Sequence, residues 1–298
     1  MLACGREGWN DMYKVVLTVA AAALAVAACD IQRTGQQLTA NKVMVATILA
    51  TPSVSISPAA LAGADAGFGA GGMDGGQLTI PGQTLALAYF LERPSSFDAP
   101  PAPVSGATMA VKAEGGAAIA LEPTGDGAFS LSSAQSSALE YASGATYDFE
   151  ATLAEERYVG RVAEAPQLEN VAALHPPEGY VDHWANEPFT FTRPEPPAGQ
   201  PRNLGFITIH PISDRGELGP PTYTNVPMNP IDFLRLVALP APWRAAEMTV
   251  PASAFPLPNQ TYALVLQAAK MGGPQSENLF TGSAIVAGTA EVGVFRTR

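Results

Sequence analysis

The residues whose types could do chemistry are few: two cysteines, three histidines and some paired acids. His175, His183 and His210 are spaced 8 and 27 apart, which matches no zinc pattern. A zinc centre needs several ligands that converge, and prolines follow His175 and His210. They read as loop histidines, and no metal is expected. Serine hydrolysis would need a Gly-x-Ser-x-Gly turn to present the nucleophile. The nearest stretch, Thr281-Gly282-Ser283-Ala284, lacks the second glycine and reads as a strand entry. Glu155-Glu156 adjoins Arg157 and reads as a solvated turn. Asp126, between Gly125 and Gly127, is a single acid and not an EF-hand loop. The expectation is therefore no catalytic residue, no cofactor and no enzyme. Cys29 remains, at the end of an apolar run.

That run covers residues 15–28, an uncharged stretch of 14 small and aliphatic residues behind Lys14. It is too short to cross a bilayer core, which takes about 20. A basic residue, an apolar run and small residues, in that order, make a secretory signal peptide. Val26-Ala27-Ala28-Cys29 resembles the lipobox of bacterial lipoproteins, over roughly the first 30 residues. The resemblance implies that residues 1–28 are removed and that Cys29, acylated with palmitate-type chains, begins the mature protein. The chain would then be membrane-anchored in the bacterial cell envelope, facing the periplasm or the cell surface. Two or more acyl chains hold stably, at about 0.8 kcal/mol per buried methylene. Asp30 resembles the inner-membrane retention signal of enterobacterial lipoproteins, and the choice between inner and outer membrane stays open. Residues 1–11 fit a signal poorly and read as an over-extended start; Met12-Tyr13-Lys14 makes a cleaner one.

Removing 28 of 298 residues leaves 270 and takes away Arg6, Lys14, Glu7 and Asp11, so the charge stays at −11. Such acidity argues against nucleic acid, whose phosphates need a basic footprint. No cysteine then remains for a disulfide or a thiolate. Gly and Pro make up 55 of 298 residues. That is about 18%, above the ordinary 12% or so, and it suits a loop-rich β protein.

Period-two patterning runs along most of the chain. Residues 29–41 are polar and read as a tether. Val43, Val45, Thr47 and Leu49 alternate with Met44, Ala46 and Ile48, as in a strand buried on both faces. Residues 62–76 are glycine- and alanine-rich and read as a flexible insertion. Strands follow around Leu85, Met109, Ile119, Phe129, Tyr147 and Tyr158, with turns at Gly115-Gly116 and Gly125-Asp126-Gly127. Residues 132–143 are the best helical candidate, a short crossover turn ending at Gly144. A boundary near Ala165-Pro166 divides a domain at 42–165 from one at 166–298. The second opens at 171–174, with strands around Phe189, Phe206, 233–239, Tyr262, Ile285 and Val292.

Thr146-Tyr147 and Thr261-Tyr262 recur 115 residues apart, each after a turn and before alternating apolar residues. This weak repeat resembles the tyrosine corner of immunoglobulin-like and fibronectin type III sandwiches, whose hydroxyl bonds back to the backbone. It implies an all-β chain of two tandem immunoglobulin-like β-sandwiches and carries no activity with it. Trp184, Trp243, Tyr180 and Tyr223 stand in proline-rich connectors of the second domain and form a candidate binding surface. The functional expectation is a non-enzymatic interaction or structural module. Its partners are the membrane, through Cys29, and an envelope protein or a glycan. An accessory carbohydrate- or ligand-binding lipoprotein is the alternative, and a hydrolase comes last.

Overall fold

Alternating apolar residues bounded by Gly, Pro and Asp-Gly turns favour strands over helices, and the protein is all-β. A computed structural model describes residues 31–56, 78–94, 101–213, 216–226, 236 and 239–298. The signal run, Cys29, the glycine-rich stretch 62–76 and most of the strand expected at 233–239 lie outside the described residues.

The first unit begins with helix α1 (Ile31–Thr39). It continues with β1 (Lys42–Thr51), β2 (Val54–Ile56), β3 (Leu78–Ile80), β4 (Gln83–Glu92), β5 (Thr108–Ala113) and β6 (Ile119–Gly125). It ends with β7 (Ala128–Ser132), β8 (Tyr147–Leu153) and β9 (Glu156–Val162). The second unit contains β10 (Val181–His183), β11 (Phe189–Thr192), β12 (Leu204–Ile212), β13 (Tyr223–Thr224) and β14 (Glu247–Val250). The chain closes on a long hairpin, β15 (Thr261–Pro274) and β16 (Ala284–Thr297).

This hairpin belongs to both units. Its turn end lies in the first, where β16 runs parallel to β1 and β15 meets β9 at Gly273 and Pro274. Its open end lies in the second, between β12 and β10. Among the described residues the pairings run β16–β1–β4–β7–β6–β5–β8–β9–β15–β16, and the seam between β9 and β15 is two residue pairs long. The seam between β9 and β15 requires glycine, because a Cβ on Gly272 would collide with the Arg161 carbonyl oxygen.

Among the described residues there are two large cores. Met44, Phe90, Tyr147 and Phe149 fill the first, and Phe191, Phe255, Tyr262 and Phe295 the second. β9 ends at Val162 and a connector follows, while the C-terminal hairpin returns to the first core. Leu279, Ile285 and Ala287 are buried in the first core. A 14-residue strand is long enough to serve two cores in turn, and β16 does so.

Three local expectations change. The tether at 29–41 contains the helix α1, which is docked on the body. Residues 132–143 form turns and no helix, because Gln135 folds its side chain back onto the Ser132 amide and hydroxyl. Residues 171–174, where the second domain was expected to open, hold a single 3-10 turn, Ala172–Leu174. In β1, Met44, Ala46 and Ile48 are buried while Val45, Thr47 and Leu49 are only half-buried.

Candidate functional site

Both corner tyrosines bond to the backbone in the same way. The Ala142 amide donates to the Tyr147 hydroxyl at 2.6 Å, and the Leu257 amide to the Tyr262 hydroxyl at 3.2 Å. Each donor stands five residues upstream. Burial raises both hydroxyl pKa values, because the phenolate would lose its solvation, while each N–H bond pulls the other way.

The junction between the units depends on one face of β16. Along a strand every second side chain points the same way. On this face Ile285 and Ala287 enter the first core and Phe295 enters the second. Between them fall Thr289 and Glu291, at the level where the connector from β9 crosses. The Thr289 hydroxyl donates to the Gln167 carbonyl at 3.2 Å. The Glu291 carboxylate, with 2% of its side chain exposed, accepts the Val171 amide at 3.0 Å and lies 2.9 Å from His175 Nε2. Nearby, the side chain of Arg193 is fully buried and grips Glu169 with two N–H groups, at 2.7 and 2.5 Å. Arg193 also donates to the carbonyls of Asn203 and Trp243, at 3.0 and 3.2 Å. A buried guanidinium needs such a full set of acceptors. A cleft of about 440 Å³ opens beside this clamp, lined by Pro194, Pro196, Pro197, Arg202, Glu195 and Lys270 among others.

The histidines do not converge. His175 faces Glu291, His183 Nε2 donates to the Glu187 carbonyl at 2.9 Å, and His210 Nδ1 donates to the Gly219 carbonyl at 2.9 Å. Among the described residues no group of three His, Cys, Asp or Glu side chains could hold a metal ion. Ser283 is buried, and its hydroxyl accepts the Met44 amide at 3.0 Å, as suits the entry to β16.

The four candidate aromatics are not brought together. Trp184 is 58% exposed at the open end of the long hairpin, with the Arg298 guanidinium carbon 6.0 Å from its ring centre. Trp243 stands at the opposite end of the second unit, half-buried, and its indole N–H donates to the Asn225 carbonyl at 2.9 Å. Asn225 pairs with Ile207, whose strand position lies level with Glu291, seven residues short of Arg298. At about 3.3 Å per residue the two tryptophans are roughly 20 Å apart. Tyr180 packs on a small cluster of Ile56, Ile212, Ala263 and Val294, and Tyr223 packs on the second core. Both read in sequence as loop aromatics, but each covers apolar surface. The open end also carries Leu257, 57% exposed, and Leu218, 54% exposed. Neither was legible as a surface residue, because an isolated Leu beside prolines or in a loop looks the same in or out of a core.

No protein-family model matches the chain, and no curated protein matches it. Among the described residues no helix is long and apolar enough to cross a membrane.

Proposed function

We propose that the protein is a lipid-anchored envelope module that acts by contact and not by catalysis, held to a bacterial membrane through acylated Cys29. On this reading the two units are immunoglobulin-like sandwiches, and the open end of the second is the contact surface. The observation that carries it is the exposure of Trp184, 58%, at the open end of the β15–β16 hairpin, whereas α1 is docked at its turn end. A Trp left in solvent at the same end as exposed Leu257 is the kind of residue that dominates contact energies in interfaces. The connectors behind it are stiffened by proline, so little order has to be imposed on binding. The partner is an envelope protein. A glycan is the second reading, favoured by the polar groups of Asp182 and Arg298 beside the indole.

The test has two parts. Wild-type protein should enter the detergent phase on phase separation, and Cys29→Ser should leave it aqueous or unprocessed. Trp184→Ala should abolish most capture of the envelope partner while the melting curve stays unchanged. Processing and membrane attachment of Cys29→Ser like wild type would refute the anchor. Undiminished capture by Trp184→Ala would refute the contact surface, and binding to isolated glycans but to no protein would favour the second reading.

A further inference from the structure

The residues just after Cys29 fix more than attachment. Helix α1 starts at Ile31, two residues beyond Cys29. Two residues of extended chain span at most about 7 Å. A loose tether of a dozen residues would instead give the body about 20 Å of play. The helix removes that play, because it is clamped from several sides. Gln37, 7% exposed, donates to the Ser276 carbonyl at 3.1 Å and the Pro274 carbonyl at 3.4 Å. Its own carbonyl accepts the Thr281 amide at 3.1 Å. Arg93 donates to the Leu38 carbonyl at 2.6 Å through its guanidinium and to the Asn41 carbonyl at 2.6 Å through its amide. The same guanidinium lies 4.1 Å from the centre of the Phe280 ring.

Charge distinguishes α1 from the rest of this end, whose turn carries the exposed acid Glu277. The chain carries −11 overall, yet Ile31–Thr39 contains Arg33 and no acidic residue. An anionic leaflet repels acidic surface, and the α1 segment adds none to that repulsion. At the other extreme, each strand of the β15–β16 hairpin is 14 residues long. At about 3.3 Å per residue that is roughly 46 Å from the turn to the open end. This is several times the screening length of about 8 Å at physiological salt.

We infer that the end of the first unit built from α1 and the β15–β16 turn rests on the bilayer that holds Cys29, so that the long hairpin stands the molecule off the membrane. The inference rests on the lipid-anchor reading of Cys29. Its consequence is that Trp184 and Leu257 never reach the lipid that anchors their own chain. Their occupant is a partner that comes from elsewhere in the envelope.

The mature chain has no cysteine besides Cys29, so one added thiol can be labelled cleanly. The full-length lipidated protein is placed in vesicles of three parts phosphatidylethanolamine to one part phosphatidylglycerol. The vesicles carry nitroxide-headgroup quencher. A fluorophore on Glu277→Cys, in the hairpin turn, should be quenched at least fivefold more than one on Leu257→Cys, at the open end. Loosening the clamp with Gln37→Ala and Arg93→Ala should reduce that ratio to below twofold while vesicle flotation is unchanged. Equal quenching at the two sites, or stronger quenching at 257, with flotation intact would overturn the orientation and leave the anchor standing. A ratio unmoved by the loosened clamp would overturn the role of α1. Flotation of Cys29→Ser like wild type would instead remove the anchor itself, and the orientation with it.

Discussion

Replacing Glu169 by Leu should unfold the second unit more readily than any single change at its surface. Arg193 has no exposed side-chain surface and Glu169 only 10%. The pair makes two charge-assisted bonds, at 2.7 and 2.5 Å, and Arg193 adds bonds to Asn203 and Trp243. Glu169→Leu keeps the volume but strands a buried guanidinium with two carbonyl acceptors and no counter-charge. Breaking one side of a buried ion pair costs about 3–5 kcal/mol. For a chain of this size that is on the order of 10 °C in melting temperature. Arg193→Met should cost somewhat less, because the remaining carboxyl can take up a proton. The double variant Arg193→Met/Glu169→Leu should recover most of the loss, since an apolar pair of similar volume leaves nothing unsatisfied. The assay is guanidinium unfolding of the four proteins, followed by tryptophan fluorescence and arranged as a double-mutant cycle. A cost below about 1 kcal/mol for Glu169→Leu would refute the reasoning. So would a double variant no more stable than the worse single one.

Trp184→Ala should change stability by less than about 0.5 kcal/mol, as at an exposed site, whereas Trp243→Ala should cost about 1–3 kcal/mol by losing its packing and its bond to Asn225; chemical denaturation separates the two. Gly272→Ala should cost about 3 kcal/mol and speed amide exchange at Gln275, whose N–H bonds to the Val159 carbonyl across the seam. Glu291→Leu should speed exchange of the Val171 amide, which would lose its carboxylate acceptor, by about tenfold for each 1.4 kcal/mol of lost protection. The phenols of Tyr141, Tyr147, Tyr223 and Tyr262 are all pushed above their usual range chiefly by burial, and Tyr158 to about 12 for the same reason. A raised folded pKa means that the unfolded chain loses its protons first, so stability should hold below pH 10 and fall between about 10 and 12. Ultraviolet titration should show these phenols ionising only as the fold is lost.

The strands were legible because their chemistry is local. Alternation at Leu85, Met109, Tyr147 and Tyr262 specifies a period of two whatever the strands pair with, and glycine pairs mark the turns. The two tyrosines at positions 147 and 262 could be read for the same reason, since each bonds to an amide only five residues away. The junction had one sequence signal. On the face of β16 that starts at Ile285, the apolar series breaks at Thr289 and Glu291 and resumes at Phe295. A buried polar pair inside a strand marks a place where other backbone must be satisfied, and the connector crosses there. The helix at 31–39 was hidden by its polar composition, because its stability comes from bonds to residues 274–281, more than 230 positions away.

What the sequence determined by itself was therefore the short-range part: strand periodicity, turns, the corner tyrosines and the order of residues around Cys29. The tertiary structure alone decided which residues meet. It made one hairpin serve two cores, buried Arg193 against Glu169, and put Trp184 and Trp243 at opposite ends of one unit. Those outcomes depend on strand pairing over separations of tens to hundreds of residues. There the free energy lies in the register and packing of the whole sheet, which a local pattern such as the break at Thr289 and Glu291 can mark but not specify.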